Sequence, residues 1–185
     1  MEDKVKGQSL QSEAQGRYSI AELNSLSREE FVRIIGPVFE NSPWIAESTW
    51  PKRPFAHLDQ LHRVLCDTVR DAGEERQLAL IRAHPDLVGQ AALAGTLSPA
   101  SNREQASAGL GRLTSDEITN LQRFNEAYRE RFGFPFVICA RLNKKEDILD
   151  ALPARLQHSR EAEIETALEE IGRIAYLRLQ DIVQI

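Results

Sequence analysis

The side chains best suited to chemistry are His84, the run Ser101-Asn102-Arg103-Glu104-Gln105, and Arg178. His84 precedes Pro85, which biases the histidine backbone toward extended geometry and suits the first position of a following helix. On that reading the imidazole stands at a helix N-terminus. There the dipole disfavours imidazolium while Asp86 favours it, so the ring either caps the helix or gives and takes a proton near neutral pH. Ser101 and Glu104 have capping-box spacing, which alone accounts for them. Alternatively, a hydroxyl, a carboxylate and an amide side chain beside free helix amides form a cluster able to hold a small polar heterocycle. Arg178 falls on the apolar stripe of the last helical segment, among Ile174, Ala175, Asp181 and Ile182. A guanidinium facing a core needs an anionic partner or ligand, unless Asp181 satisfies it or its stem reaches solvent.

The remaining candidates are plainer. His57 and His62 are five residues apart, a spacing that does not place two metal ligands on one helix face, and His158 sits at a helix boundary. Cys66 and Cys139 lie in apolar runs without a Cys-x-x-Cys pair and read as inert buried thiols. The chain has no phosphate loop, Rossmann glycines, G-x-S-x-G or H-E-x-x-H motif. Its net charge of −5, with Lys and Arg scattered among Asp and Glu, argues against a nucleic-acid partner. No apolar run is long enough for a membrane, and neither a signal peptide nor a peroxisomal tripeptide is in view, so the expected location is the cytoplasm.

These residues need elements to position them. Residues 1–17 are polar and aperiodic and are expected to form a tail, leaving 18–185 as one domain. Ser19 with Glu22, Ser27 with Glu30, and Thr114 with Glu117 have capping-box spacing; Ser42-Pro43 also marks a helix start. Stops fall at Gly36-Pro37, Gly73, Gly95 and Gly133. Apolar stripes run through Leu58, Leu61, Leu65 and Val69, through Leu121, Phe124 and Tyr128, and through Ile164, Leu168, Ile171, Ala175 and Ile182. Phe134–Ala140 is rich in β-formers but has no partner strand, so it is expected to be an extended connector packed between helices. The pattern predicts an all-α fold, a single-domain irregular helical bundle of about eight helices.

The stretch His84–Leu110, H-P-D-L-V-G-Q-A-A-L-A-G-T-L-S-P-A-S-N-R-E-Q-A-S-A-G-L, closely resembles the signature of the 2-oxo-4-hydroxy-4-carboxy-5-ureidoimidazoline (OHCU) decarboxylase family. The resemblance continues in F-E-N-S-P-W-I-A (Phe39–Ala46), F-G-F-P-F-V-I-C-A-R (Phe132–Arg141) and A-L-E-E-I-G-R-I-A-Y-L-R-L (Ala167–Leu179). It implies an all-helical homodimer that uses neither metal nor organic cofactor. The small-molecule substrate would be converted to S-allantoin and carbon dioxide in urate degradation. By that resemblance His84 is the proton donor and Glu104 helps to hold the substrate; the chemistry further leads us to expect Glu104 to orient His84 and the substrate hydroxyl. Pro85, Ser101, Asn102, Arg103, Gln105 and Arg178 contact the substrate, together with the main chain of Phe136, Val137, Ile138, Cys139 and Ala140. The chemistry implied is loss of carbon dioxide into a neighbouring π system, which asks for held donors and one delivered proton. A helical adaptor module without catalysis is the alternative reading, and a metal hydrolase a weaker one.

Overall fold

The computed structural model describes residues 17–89, 92 and 94–184; the predicted tail, save Arg17, lies outside them. Nine α-helices occur among the described residues. Their starts follow local chemistry: complete capping boxes open α1 (Ile20–Ser25), α2 (Arg28–Ile35) and α7 (Ser115–Phe132). In each, a hydroxyl and a carboxylate satisfy two amides that the first turn leaves without partners. Ser42 does not cap α3 (Trp44–Thr49), where Pro43 stands at the cap position without a side-chain bond. α4 (Leu58–Arg70) and α5 (Glu74–Arg82) are separated by Gly73, whose φ of 82° only glycine adopts without strain. α6 is Pro99–Ser107, α8 Lys145–Arg155 and α9 Arg160–Ile182.

The long α9 packs on α4, α5 and the short 3₁₀ turn Gly36–Val38 that ends α2. Its buried face differs from the predicted stripe. Ile171 and Ala175 are inside, but Ile164, Leu168 and Ile182 are only half-buried, and the inner line runs Glu163, Ala167, Glu170, Ile171, Ile174, Arg178. Three charged residues took inward positions because each finds a buried partner, which rotated the apolar stripe partly outward. The α4 stripe is as expected, with Leu61 and Leu65 fully buried.

Residues 134–140 form the predicted connector, buried throughout. Phe134 and Phe136 lie edge-on to Tyr128, with ring centroids 6.0 and 5.4 Å apart. The connector has no sheet partner among the described residues, and side chains take its main-chain groups. Arg155 Nη1 donates to the Val137 carbonyl at 2.7 Å, the Cys139 amide donates to Glu170 Oε2 at 2.7 Å, and Asn143 Nδ2 donates to the Cys139 carbonyl at 2.9 Å. The ends of the described chain also meet: the Tyr18 amide donates to the Ile182 carbonyl, and the Gln184 amide to the Tyr18 carbonyl, both at 2.8 Å.

Candidate active site

His84 stands at the C-terminal end of α5, not at a helix start. α5 runs to Arg82 with Ala83 as its cap, the His84 amide still donates to Ile81, and no helix begins at Pro85. Proline ends a helix as readily as it opens one. Here the following turn decides, because Val88 adopts φ of 50°, a left-handed conformation that costs a β-branched residue energy. Three contacts hold that turn. Asp86 receives Arg129 Nε at 3.0 and 2.9 Å, Asn125 Nδ2 donates to the Leu87 carbonyl at 3.0 Å, and the Val88 amide donates to Gln105 Oε1 at 3.1 Å. A Cβ on Gly89 would sit 2.6 Å from Asp86 Cβ, so glycine is required there.

The imidazole is 6% exposed, and its Nδ1 lies 2.9 Å from the Leu80 carbonyl. A carbonyl only accepts, so Nδ1 carries the proton and Nε2 is the atom left for chemistry. Burial pushes the His84 pKa below its usual value, against the opposing pull of the Leu80 carbonyl and Glu40.

The capping-box reading of Ser101 and Glu104 is also corrected. Ser98 caps α6 and Pro99 opens it, so Ser101 and Glu104 lie inside the helix with their side chains free for other partners. Arg178 Nε and Nη2 grip Glu104 through two bonds of 2.8 Å, and Nη2 also reaches Glu40 Oε1 at 2.9 Å and Ser101 Oγ at 3.3 Å. Nη1 donates to the Val38 carbonyl at 3.3 Å. Asp181 is not its partner; that carboxylate pairs with Arg141 instead. Burial alone would lower the Arg178 pKa, but Glu104 and Glu40 outweigh it and raise it.

His84, Pro85, Ser101, Glu104, Gln105, Phe136, Val137, Ile138, Ala140 and Arg178 line one cavity of about 40 Å³, closed by Leu87 and Ile174. Ile138 and Ala140 line the same cavity, and their amides have no intramolecular partner among the described residues. The Glu104–Arg178 pair is a wall shared with a cleft of about 850 Å³ lined by Arg33, Arg103, Arg141 and Asp181. Three predicted residues are not brought to the cavity. Asn102 is exposed because the helical turn carries it off the inner face, Arg103 is exposed on the larger cleft, and Cys139 is turned away with its amide bound to Glu170. Burial raises the Cys66 and Cys139 thiol pKa values, consistent with inert thiols. The other histidines are dispersed: His57 caps α4, His62 meets the Gly172 carbonyl, and His158 meets Glu163.

Glu40 was not foreseen. It is buried behind Ser101 and Arg178, and the signal for it in the sequence was a lone carboxylate in V-F-E-N, beside apolar residues that are themselves buried.

Comparison with known proteins identifies the family. A family model described as OHCU decarboxylase matches residues 24–180. The 2-oxo-4-hydroxy-4-carboxy-5-ureidoimidazoline decarboxylase of Halalkalicoccus jeotgali is 40% identical over 166 residues, covering 90% of this chain and 92% of that one. A uric acid degradation bifunctional protein of Bacillus subtilis is 42% identical over 166 residues, covering 90% of this chain and 33% of its own length. Among solved structures, (S)-allantoin synthase superposes with a TM-score of 0.72 at 28% identity, over 89% of this chain and 54% of that one.

Proposed function

The chain belongs to the OHCU decarboxylase family, and we propose that within it His84 is the proton donor, acting in the cavity it shares with Ser101, Glu104, Gln105 and Arg178. The reaction is decarboxylation of OHCU, a small molecule, in urate degradation. The observation that carries the assignment of roles is convergence: residues from α5, α6, α9 and the connector surround one buried imidazole whose Nε2 is uncommitted.

Loss of carbon dioxide leaves an electron pair that passes into the π system beside the carboxylate-bearing carbon. The site must hold the scissile bond in overlap with that system, place donors where negative charge grows, and deliver one proton to one face. The connector amides of Ile138 and Ala140 and the Gln105 side chain are placed to position the ring. The cavity is small and must widen to take the substrate, and the wall that gives way in this scheme is the Glu104–Arg178 pair it shares with the larger cleft. The guanidinium then keeps Glu40 and exchanges Glu104 for the substrate's anionic or ureido end, while Glu104 turns to the substrate hydroxyl. His84 is held neutral in the empty site by burial. An arriving carboxylate favours imidazolium, so Nε2 takes up a proton with substrate and gives it to carbon after carbon dioxide departs. One proton is consumed for each carbon dioxide released, and delivery to one face yields S-allantoin. In this scheme the chain's own groups suffice without metal or organic cofactor.

The family resemblance also supports a homodimer. A groove beside α9, where Ile164, Leu168 and Leu177 are half-exposed near the 59%-exposed Leu142, offers an apolar face for it. Sedimentation at several concentrations tests that state. No described helix is long and apolar enough to cross a membrane, and the cytoplasm remains the proposed location.

The catalytic reading is tested by generating the unstable substrate in place with urate oxidase and hydroxyisourate hydrolase and following allantoin by circular dichroism. His84→Ala is expected to lose catalysis about 100-fold or more while keeping its helical signal. Undiminished S-allantoin formation by that variant refutes the role.

A further inference from the structure

One carboxylate beside the cavity is left without a role by this scheme. Glu40, in the segment after the Gly36–Val38 turn, is 8% exposed. Its Oε1 accepts Ser101 Oγ at 2.5 Å, Ser98 Oγ at 3.0 Å and Arg178 Nη2 at 2.9 Å. Two consequences follow from this bonding. Ser101 has a single hydroxyl proton, and it points to Glu40, so Ser101 cannot donate into the cavity; its Oγ already accepts Arg178 Nη2 at 3.3 Å and can accept a ring or ureido N–H only with a remaining lone pair. Secondly, Glu40, Glu104 and Arg178 together place two carboxylates against one guanidinium, a surplus negative charge in a cluster of which Glu40 and Arg178 are themselves buried.

We propose that Glu40 is a positioning residue for the decarboxylation: it fixes Ser101 as an acceptor, retains Arg178 when Glu104 swings away, and supplies the negative charge that helps His84 hold its proton. The proposal rests on the proton-donor reading above. The charged groups around the imidazole are Glu40 from the α2–α3 segment, Glu104 from α6 and Arg178 from α9; Asp86, the nearest acid in sequence, is tied to Arg129. Glu40 itself stays ionised although burial opposes it, because the Ser101 hydroxyl and Arg178 outweigh that penalty and lower its pKa.

The test compares kcat/KM against pH for wild type, Glu40→Gln, Glu40→Asp and His84→Ala, with substrate generated in place. Gln keeps the shape and an acceptor oxygen but removes the charge. In Glu40→Gln the limb belonging to His84 should move about one pH unit toward acid, with turnover on its alkaline side falling about tenfold, while Glu40→Asp keeps the limb near wild type. A uniform loss at every pH with an unmoved limb means that Glu40 only packs, and overturns the proposal. Titration of the His84 ring by ¹⁵N NMR in wild type and Glu40→Gln reads the same shift without turnover. An inactive His84→Ala with an unmoved ring titration therefore sinks Glu40 alone, whereas an active His84→Ala sinks the donor role. If Glu40→Gln does not fold, carboxyl NMR of the wild type decides: Glu40 ionised while His84 titrates is expected, and a protonated Glu40 there overturns the proposal.

Discussion

Two buried arginines adjoin the same connector, and they are partnered differently. Arg155 faces a single carboxylate, Glu163, which also takes the Tyr128 hydroxyl and His158 and is 0% exposed. Its remaining Nη1 is spent on the Val137 carbonyl, and its guanidinium lies 4.5 Å from the Phe136 ring centre. That cluster is charge-balanced, and burial with the Glu163 bond pushes the Tyr128 pKa well up. Arg178 faces two carboxylates and borders a cavity on one side and a cleft on the other. A saturated, balanced ion pair holds backbone in place; an unbalanced one beside space is equipped to exchange a partner for a ligand. In the proposed mechanism the same residue types thus serve as scaffold around Arg155 and as recognition around Arg178.

The comparison can be broken by exchanging each arginine for methionine. Arg155→Met strands Glu163 in the core and should cost about 3–5 kcal/mol of stability, read from urea midpoints. Arg178→Met should lower kcat/KM about 100-fold, roughly 2.7 kcal/mol at the transition state, with a smaller loss of stability because its carboxylates adjoin cavities and can take up protons or water. If the two variants lose stability equally and Arg178→Met keeps its turnover, both clusters are scaffold. A gentler probe is pH. An unfolded imidazole titrates near 6.5, whereas buried His84 binds its proton less readily. The unfolded chain therefore binds more protons below that value. The His84 contribution to stability is complete above pH 6.5 and declines as pH falls toward the lowered folded value. The slope of urea midpoint against pH should flatten in that window for His84→Asn. The smallest effect is expected at exposed Asn102, where Ala should change stability by no more than about 0.5 kcal/mol and leave turnover intact.

Much of this architecture was legible because it is local. Capping boxes are written within four residues, and Phe134–Ala140 announced itself as β-rich chain with nothing to pair with. Arg178 was legible as a charge on an apolar rhythm, but its true partners were not. Glu40 and Glu104 lie 138 and 74 residues away, and Asp181 was the nearer acid. His84 was misplaced because Pro85 is compatible with either helix end, and the left-handed Val88 that settles the matter is fixed by α6 and α7, not by its neighbours. The α9 stripe was misread for a related reason: apolar counting takes Glu163 and Glu170 for a solvated face, and each is turned inward by a distant partner.

The contact between Tyr18 and Val183 has a practical corollary. Both residues adjoin the rim of the larger cleft, which Tyr18 and Ile182 help to line. The first and last described residues, Arg17 and Gln184, thus sit side by side at that rim, Gln184 Nε2 donating to the Arg17 carbonyl at 2.8 Å, so the two ends of the described chain are held at a single edge of the bundle.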